Sequence, residues 1–390
     1  MIRMSVSTAA GIVLLAVLSY GQQKHMVVKV SNPSDRTRSN ETITVPRDTL
    51  MSDLVLRGSE PLVVTDAATG KELAAQWVDN DLNGVPDEFI FQSNFKARES
   101  KSFLVSVSSK ARKATASMVD VRYVEPREDV AWENDHIAFR VYGPALAAEV
   151  NNGIDVWTKR VRSLIVKKWY EGEEQTPKIV YHIDHGEGAD FFNVGKSLGC
   201  GGNGIWYGGK VYQPGVFSSY KIIAAGPIRT RFELRYKNWN VEGTLFREVE
   251  RITLDAGQNL NRIELTFKGG WEYKSIALAC GLVKRDSVKM YRQEDGDWMS
   301  LWGPTNDNPE NGFLGTGVVF LPKKISGWAQ DSSQYIAIGD AERGSTFTYY
   351  AGAGWTRSGD FQSVEDWNNY LKQFADNLNS PLQVTFEVKK

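Results

Sequence analysis

Four histidines occur in 390 residues, and two of them, His182 and His185, stand three apart in YHIDHGEGADFFNVG, residues 181–195. Asp184, Glu187 and Asp190 surround them, and Gly186 and Gly188 interrupt them. Imidazoles among carboxylates suit metal ligation or proton transfer near neutral pH, and they also serve as ordinary hydrogen-bonded structure. If 180–185 is a strand, Tyr181, Ile183 and His185 share one face, and His182 and Asp184 the other. The two imidazoles then share one metal only if the strand ends between them, which Gly186 permits. The density of His, Asp, Tyr and Gly ahead of the glycine-rich GCGGNG favours a functional reading. That run lacks the Lys-Ser/Thr and the following helix of a phosphate cradle.

Three further sets carry chemistry. In AWENDHIAFRVYG, 131–143, Glu133, Asn134 and Arg140 lie beside aromatics. They suit sugar hydroxyls and carboxylates, or simply face water on an edge strand. In GIDVWTKR, 153–160, Lys159 and Arg160 follow Trp157 closely. A basic pair beside an aromatic fits a uronate clamp, since Arg holds carboxylates bidentately, or else a solvated strand end. In DNDLNGVPDEF, 79–89, Asp79, Asp81, Asn83 and Asp87 fall at positions one, three, five and nine of a calcium loop, with Gly84 at six. Position twelve is Ile90, so this is no EF-hand. It reads as a shorter calcium loop of an extracellular β protein, or as a tight Asp/Asn/Gly turn.

The elements that must position these residues are strands. Residues 26–107 read as a small β domain of short alternating or β-branched runs, 108–120 as a polar linker, and 121–390 as a large antiparallel β-sandwich carrying the site. The runs 245–254 and 260–267 form a hairpin across Asp255-Ala256-Gly257-Gln258-Asn259. One helix is expected, from Ser363 to Leu378, with Ser363 and Asp366 as a capping box and Trp367, Tyr370, Leu371, Phe374 and Leu378 as its apolar stripe. The class is all-β with one late helix.

Composition bounds the function. The opening MIRMSVSTAAGIVLLAVLSYG has a basic start, an apolar run too short to span a bilayer and small residues after it. It reads as a signal peptide, residues 1–21, of an exported protein, periplasmic or secreted. Beyond residue 21 the chain has 45 basic and 47 acidic residues. No basic stretch points to nucleic acid, and no second apolar run points to a membrane span. Cys200 and Cys280 are the only cysteines, which excludes a disulfide framework. HExxH and CxxC are absent from the sequence, and the glycine-rich GCGGNG lacks the following helix of a nucleotide cradle, so no nucleotide or redox cofactor is expected for the chemistry; structural calcium is the one candidate ion. Twelve Trp, fifteen Tyr and seventeen Phe fill β cores, and some could stack on sugar rings.

AWENDHIAFRVYG, GIDVWTKR, YHIDHGEGADFFNVGKSLGCGG, GPIRTRF and SVEDWNNYL, taken in this order, resemble the exported bacterial family catalogued as domain of unknown function 4861. The resemblance spans nearly the whole chain after residue 21. It implies a place in polysaccharide breakdown and a similarity to an oligosaccharide dehydratase of ulvan degradation, which removes water from a terminal uronic acid. It implies a large domain in the style of galactose-mutarotase-like supersandwiches, and it gives His182 and His185 precedence over His136.

The expected function is β-elimination of water from a terminal uronic acid of an oligosaccharide. Arg160 or Lys159 neutralises the carboxylate so that the C5 proton becomes acidic. Tyr181, His182 and His185 supply the base and the acid, and Asp184 orients a ring nitrogen. Trp157, Glu133, Asn134, Arg140 and Trp206 bind the sugar. The alternatives are a polysaccharide lyase using the same groups, or a glycosidase using two of Glu133, Asp135, Asp184 and Glu187. A third is a non-catalytic glycan-binding protein with Trp157, Trp206, Tyr207 and Trp355 as its platform.

Overall fold

The computed structural model describes residues 25–54, 61–108, 115–270, 274–293 and 296–389. The expected signal peptide and residues 109–114 of the expected linker lie outside the described residues.

The fold is all-β, built of antiparallel sheets. The small domain has two. Strands His25–Ser31, Ser100–Val107, Leu62–Asp66 and Glu72–Leu73 lie side by side, facing Arg38–Pro46, Glu88–Phe95 and Ala75–Val78. Alternation puts Met26, Val28, Val30, Phe89, Phe91, Phe103 and Val105 into one core between them. A short helix, Arg47–Leu54, was not legible in the sequence; it buries Leu50 and Leu54, one turn apart. The range 121–390 needs a correction at its end. The last strand, Gln383–Lys389, returns to the small domain and pairs with His25–Ser31, Met26 opposite Val388. It does so because Val384 and Phe386 complete the small domain's core.

The large domain packs a nine-stranded sheet against two five-stranded sheets over one continuous core. The expected hairpin is present as Thr244–Asp255 and Leu260–Gly269, with Ile252 opposite Ile263. The late helix, Val364–Asn379, starts at Ser363 with the full capping box, Asp366 in the third position. Trp367 and Leu371 seat on the outer face of the nine-stranded sheet beside Leu260 and Val319. Gly317 permits this approach: a Cβ there would lie 2.6 Å from Leu371 Cδ1.

The site lies on the sheet whose neighbouring strands are Gly188–Ala189, Asp155–Lys159, Ala138–Val141, Asp129–Asn134 and Val119–Val124. Every residue of Asp129–Asn134, Ala138–Val141 and Asp155–Lys159 is buried. The solvated edge strand expected at 131–143 is therefore wrong, because both faces are covered. One face, with Trp132, Phe139 and Val156, joins the sandwich core. The other, with Ala131, Ala138 and Trp157, lies under a second helix that the sequence did not reveal, Val166–Glu173.

Candidate functional site

The helix-covered face carries charges that its neighbours must neutralise. Glu133 accepts hydrogen bonds from the amides of Ile165 and Val166 at 2.7–2.9 Å, capping the helix whose first turn would otherwise leave them bare. Lys159 Nζ donates to Glu133 Oε2 at 2.7 Å and to the Asn134 carbonyl at 2.6 Å. Asn134 Nδ2 donates to the carbonyls of Asp255 and Gln258, and its Oδ1 accepts the amides of His136 and Ile137. Glu133, Asn134 and Lys159 are thus spent on structure. The expected sugar contacts of Glu133 and Asn134 and the uronate clamp at Lys159 are corrected: burial leaves them no route to a ligand.

One step along the sheet, Arg140 sits opposite Asp155 in register. Its Nε and Nη2 donate to Asp155 Oδ2 at 2.9 and 2.6 Å, and Nη2 also reaches Asp190 Oδ2 at 2.9 Å. One guanidinium faces two carboxylates. Burial, and then the Asp155 charge, pushes Asp190 well above the usual carboxylate range, and its Oδ1 has no partner. Arg140 Nη1 and Arg127 Nη1 donate to the Tyr181 hydroxyl at 3.2 and 2.8 Å. Burial still raises the Tyr181 phenol, outweighing both cations, so it stays neutral. Trp157 stacks at 4.8 Å on Tyr181 and 5.6 Å on Trp169, and donates to Asp155. It is fully buried, which corrects its expected role as a sugar platform.

Residues 181–187 form turns instead of the conditional strand. Gly188 holds the loop against the sheet with φ +114°, where a Cβ would lie 2.0 Å from the Thr158 carbonyl oxygen. His182 leans on Tyr181, ring centroids 4.5 Å apart. Its Nδ1 lies 3.0 Å from the Asp190 carbonyl, which can only accept, so Nδ1 carries the proton. Asp190 Oδ2 is 3.5 Å from the same nitrogen, and 57 % of the His182 side chain is exposed. Nε2 is left as the acceptor. His185 is exposed, and its Nε2 donates to the Val180 carbonyl at 3.1 Å. The structure anchors both histidines in one turn but to different carbonyls.

Asp184 does not orient a histidine, as the sequence reading expected. Its Oδ1 accepts the amides of Gly186 and Gly188, and its Oδ2 lies 3.1 Å from Arg160 Nη1 and 3.5 Å from Arg357 Nη1. Against the cost of burial, these donors hold Asp184 below the usual carboxylate range. Arg160 stays part-exposed at the loop's edge. Beyond it, Asp360 pairs with Arg162 at 2.5 Å and with His136 Nδ1 at 3.1 Å. An open hollow of about 490 Å³ borders the site, lined by Arg127, Glu173 and Lys178 among others.

Trp206 lies on another sheet, in strand Cys200–Tyr207, paired with Val211. Trp355 is buried and donates to the Asn311 carbonyl. The four aromatics therefore make no common platform. Sequence reasoning missed Arg127, Asp155 and Arg357. Asp155 sat inside a motif already singled out, and its alternation with Trp157 and Lys159 was the available signal. Among the described residues, Asp79, Asp81 and Asp87 are the acidic set able to hold a metal, with one oxygen each, all within 4.8 Å of one another. Asn83 turns its amide nitrogen to Asp81 Oδ2 at 2.9 Å. Cys200 and Cys280 are free and buried.

The sequence profile of the family described as domain of unknown function 4861 (DUF4861) matches residues 30–384. Uncharacterized protein P7 of Formosa agariphila is 32% identical over 389 residues, covering 93% of this chain and 94% of the relative. Two solved structures, an alpha-mannosidase from Enterococcus faecalis V583 and a protein in the glycosyl hydrolase family 38 from Enterococcus faecalis, each align with 94% of this chain at 12% identity. Their TM-scores are 0.48 and 0.49, and the chain spans about half the length of each, 46% and 48%. No helix of the described residues is long and apolar enough to cross a membrane.

Proposed function

The chain belongs to the family described as domain of unknown function 4861, and from that premise we propose that it is an exported carbohydrate-active enzyme eliminating water from a terminal uronic acid of an oligosaccharide. The observation that carries the reading is His182: one ring nitrogen is fixed on the Asp190 carbonyl, while its half-exposed ring leans on Tyr181, whose hydroxyl is held by Arg127 and Arg140, and the same turn carries Asp184 with Arg160. The substrate class comes from the family likeness.

In the proposed reaction Arg160, at the loop edge, pairs with the uronate carboxylate and lowers the cost of the developing negative charge. His182 Nε2 removes the C5 proton. The C5–H electron pair forms the C4–C5 double bond as the C4–O bond breaks. The departing hydroxyl takes a proton from the exposed His185 and leaves as water, because Tyr181 is buried beside Trp157. Arg140 and Asp190 hold Tyr181 and His182 in place. A lyase would take the same course with a sugar as leaving group. The glycosidase reading is weaker, because Glu133 is buried beneath a helix and Asp184 is held by two amides and Arg160. Incubation with a panel of uronic-acid oligosaccharides, read by mass spectrometry, tests the proposal; loss of one water supports it, and no change in any substrate sinks it.

The Asp79–Asp87 loop is proposed as a calcium site with a structural role. Lys221 Nζ of the large domain donates to the Asp81 carbonyl at 3.0 Å, so an ion there braces the contact between the domains.

A further inference from the structure

A cavity of about 670 Å³ lies between the two domains. The outer face of the nine-stranded sheet forms its floor. Strand Arg38–Pro46 and the C-terminal half of the late helix form its walls. Its size is that of a ligand pocket, and domain interfaces are where such pockets gather.

Four guanidinium groups reach this cavity, from Arg38, Arg229, Arg231 and Arg262, against two lining carboxylates, Glu41 and Asp255. Arg229 and Asp255 neutralise each other through two hydrogen bonds of 2.7 and 2.8 Å. Burial pushes Glu41 up, outweighing the charge of Arg38, and so weakens the other anion. Arg38 is buried, its Nη2 donates to the Ser380 carbonyl and its Nη1 lies 3.9 Å from Glu41, and only its Nε has no partner. A buried guanidinium donor without an acceptor costs stability, and an arriving oxyanion recovers it. Arg231 is fixed by Thr253 Oγ1 at 2.9 Å and by Asn80 and Glu88 at the flanks of the Asp79–Asp87 loop. Arg262 is half-buried, with Glu264 at 3.0 Å. Tyr350 on the floor and Tyr370 on the helix supply half-buried rings. The arrangement has the parts of an acidic-sugar site: fixed guanidinium groups for a carboxylate, and aromatic surface for a ring.

We infer that the interdomain cavity is a second carbohydrate site, which binds the carboxylate of an acidic oligosaccharide on Arg38, Arg231 and Arg262 without reacting with it. The site is built on elements other than the 181–190 turn and goes beyond the dehydratase reading.

The test uses the full chain carrying His182→Ala, so that a substrate is not consumed. Trigalacturonate is titrated by calorimetry, with maltotriose as the neutral comparison. Two variants are added singly. Arg262→Gln removes a half-exposed cation, and Gln373→Trp fills the cavity from the helix surface. Melting curves confirm that both fold. Trigalacturonate should bind, maltotriose should not, and each variant should weaken binding at least about tenfold, the worth of a hydrogen bond to a charged group. Equal affinity for the two sugars, or trigalacturonate affinity unchanged by both variants, overturns the inference. Turnover by the wild-type chain is read separately, so failure of the dehydratase reading leaves this result intact.

Discussion

Glu133 and Lys159 meet at 2.7 Å with neither side chain exposed to solvent. Lys159→Met should therefore act on stability. Removing one partner of a buried pair costs about 3–5 kcal/mol, because the other charge is left uncompensated. The melting temperature should fall by about 10 °C, while kcat/KM of the folded fraction stays within a few-fold. An unchanged melting temperature with collapsed kcat/KM would restore Lys159 as a substrate clamp.

His182→Ala should lower kcat by about a hundredfold or more, the usual worth of a general base, with little change in melting temperature because the ring is half-exposed. His185→Ala should also slow turnover if it supplies the acid. Asp190→Asn is different. It keeps the carbonyl that fixes His182, so it should shift the pH profile more than it lowers the maximal rate. Equal rates for wild type and His182→Ala across the pH range would remove His182 from the mechanism.

Calcium should raise the melting temperature relative to excess chelator, since an ion bound only by the folded state stabilises it by mass action. Asp81→Ala should abolish that difference, because Asp81 is one of three convergent carboxylates. A melting curve indifferent to calcium and chelator in the wild type would argue against the site. Turnover should not depend on the ion directly.

Stability should fall as pH rises from about 5 to 8. Glu248 and Glu250 point into the sandwich core and are fully buried. Burial, and for Glu248 also the neighbouring charge of Glu250, pushes both up, Glu250 to about 7 from an ordinary 4.5. An acid whose folded pKa is raised holds its proton where the unfolded chain has released it. Its contribution is therefore present below about pH 4.5 and is lost as pH climbs through 7. Glu248→Gln should raise the melting temperature by several degrees at pH 8 and leave it nearly unchanged at pH 5. A flat profile for the wild type over this range would contradict the burial of ionisable protons here.

Periodicity made the hairpin at 244–269 and the capped late helix legible, because both are local patterns with their own turn and cap residues. The return of Gln383–Lys389 to the small domain was hidden, since nothing local records which sheet a strand joins. The same holds for the sheet under the site. AWENDHIAFRVYG alternates like a half-exposed strand, and only the short helix Val166–Glu173 turns its polar face into an interior. That is why Glu133, Asn134, Lys159 and Trp157 read as sugar contacts and proved to be buried structure. The 181–190 stretch was found by composition alone, and its partners Arg127 and Arg357 come from distant parts of the chain.

The central claim is tested most directly by one reaction monitored in two ways. Dehydration of a terminal uronate adds a conjugated double bond and leaves every glycosidic bond intact. Near-ultraviolet absorbance reports the alkene, and product mass reports what was lost. The account predicts rising absorbance, loss of a single water and unchanged oligomer length with the wild type, and none of these with His182→Ala. Shortened oligomers, with or without the alkene, would contradict it.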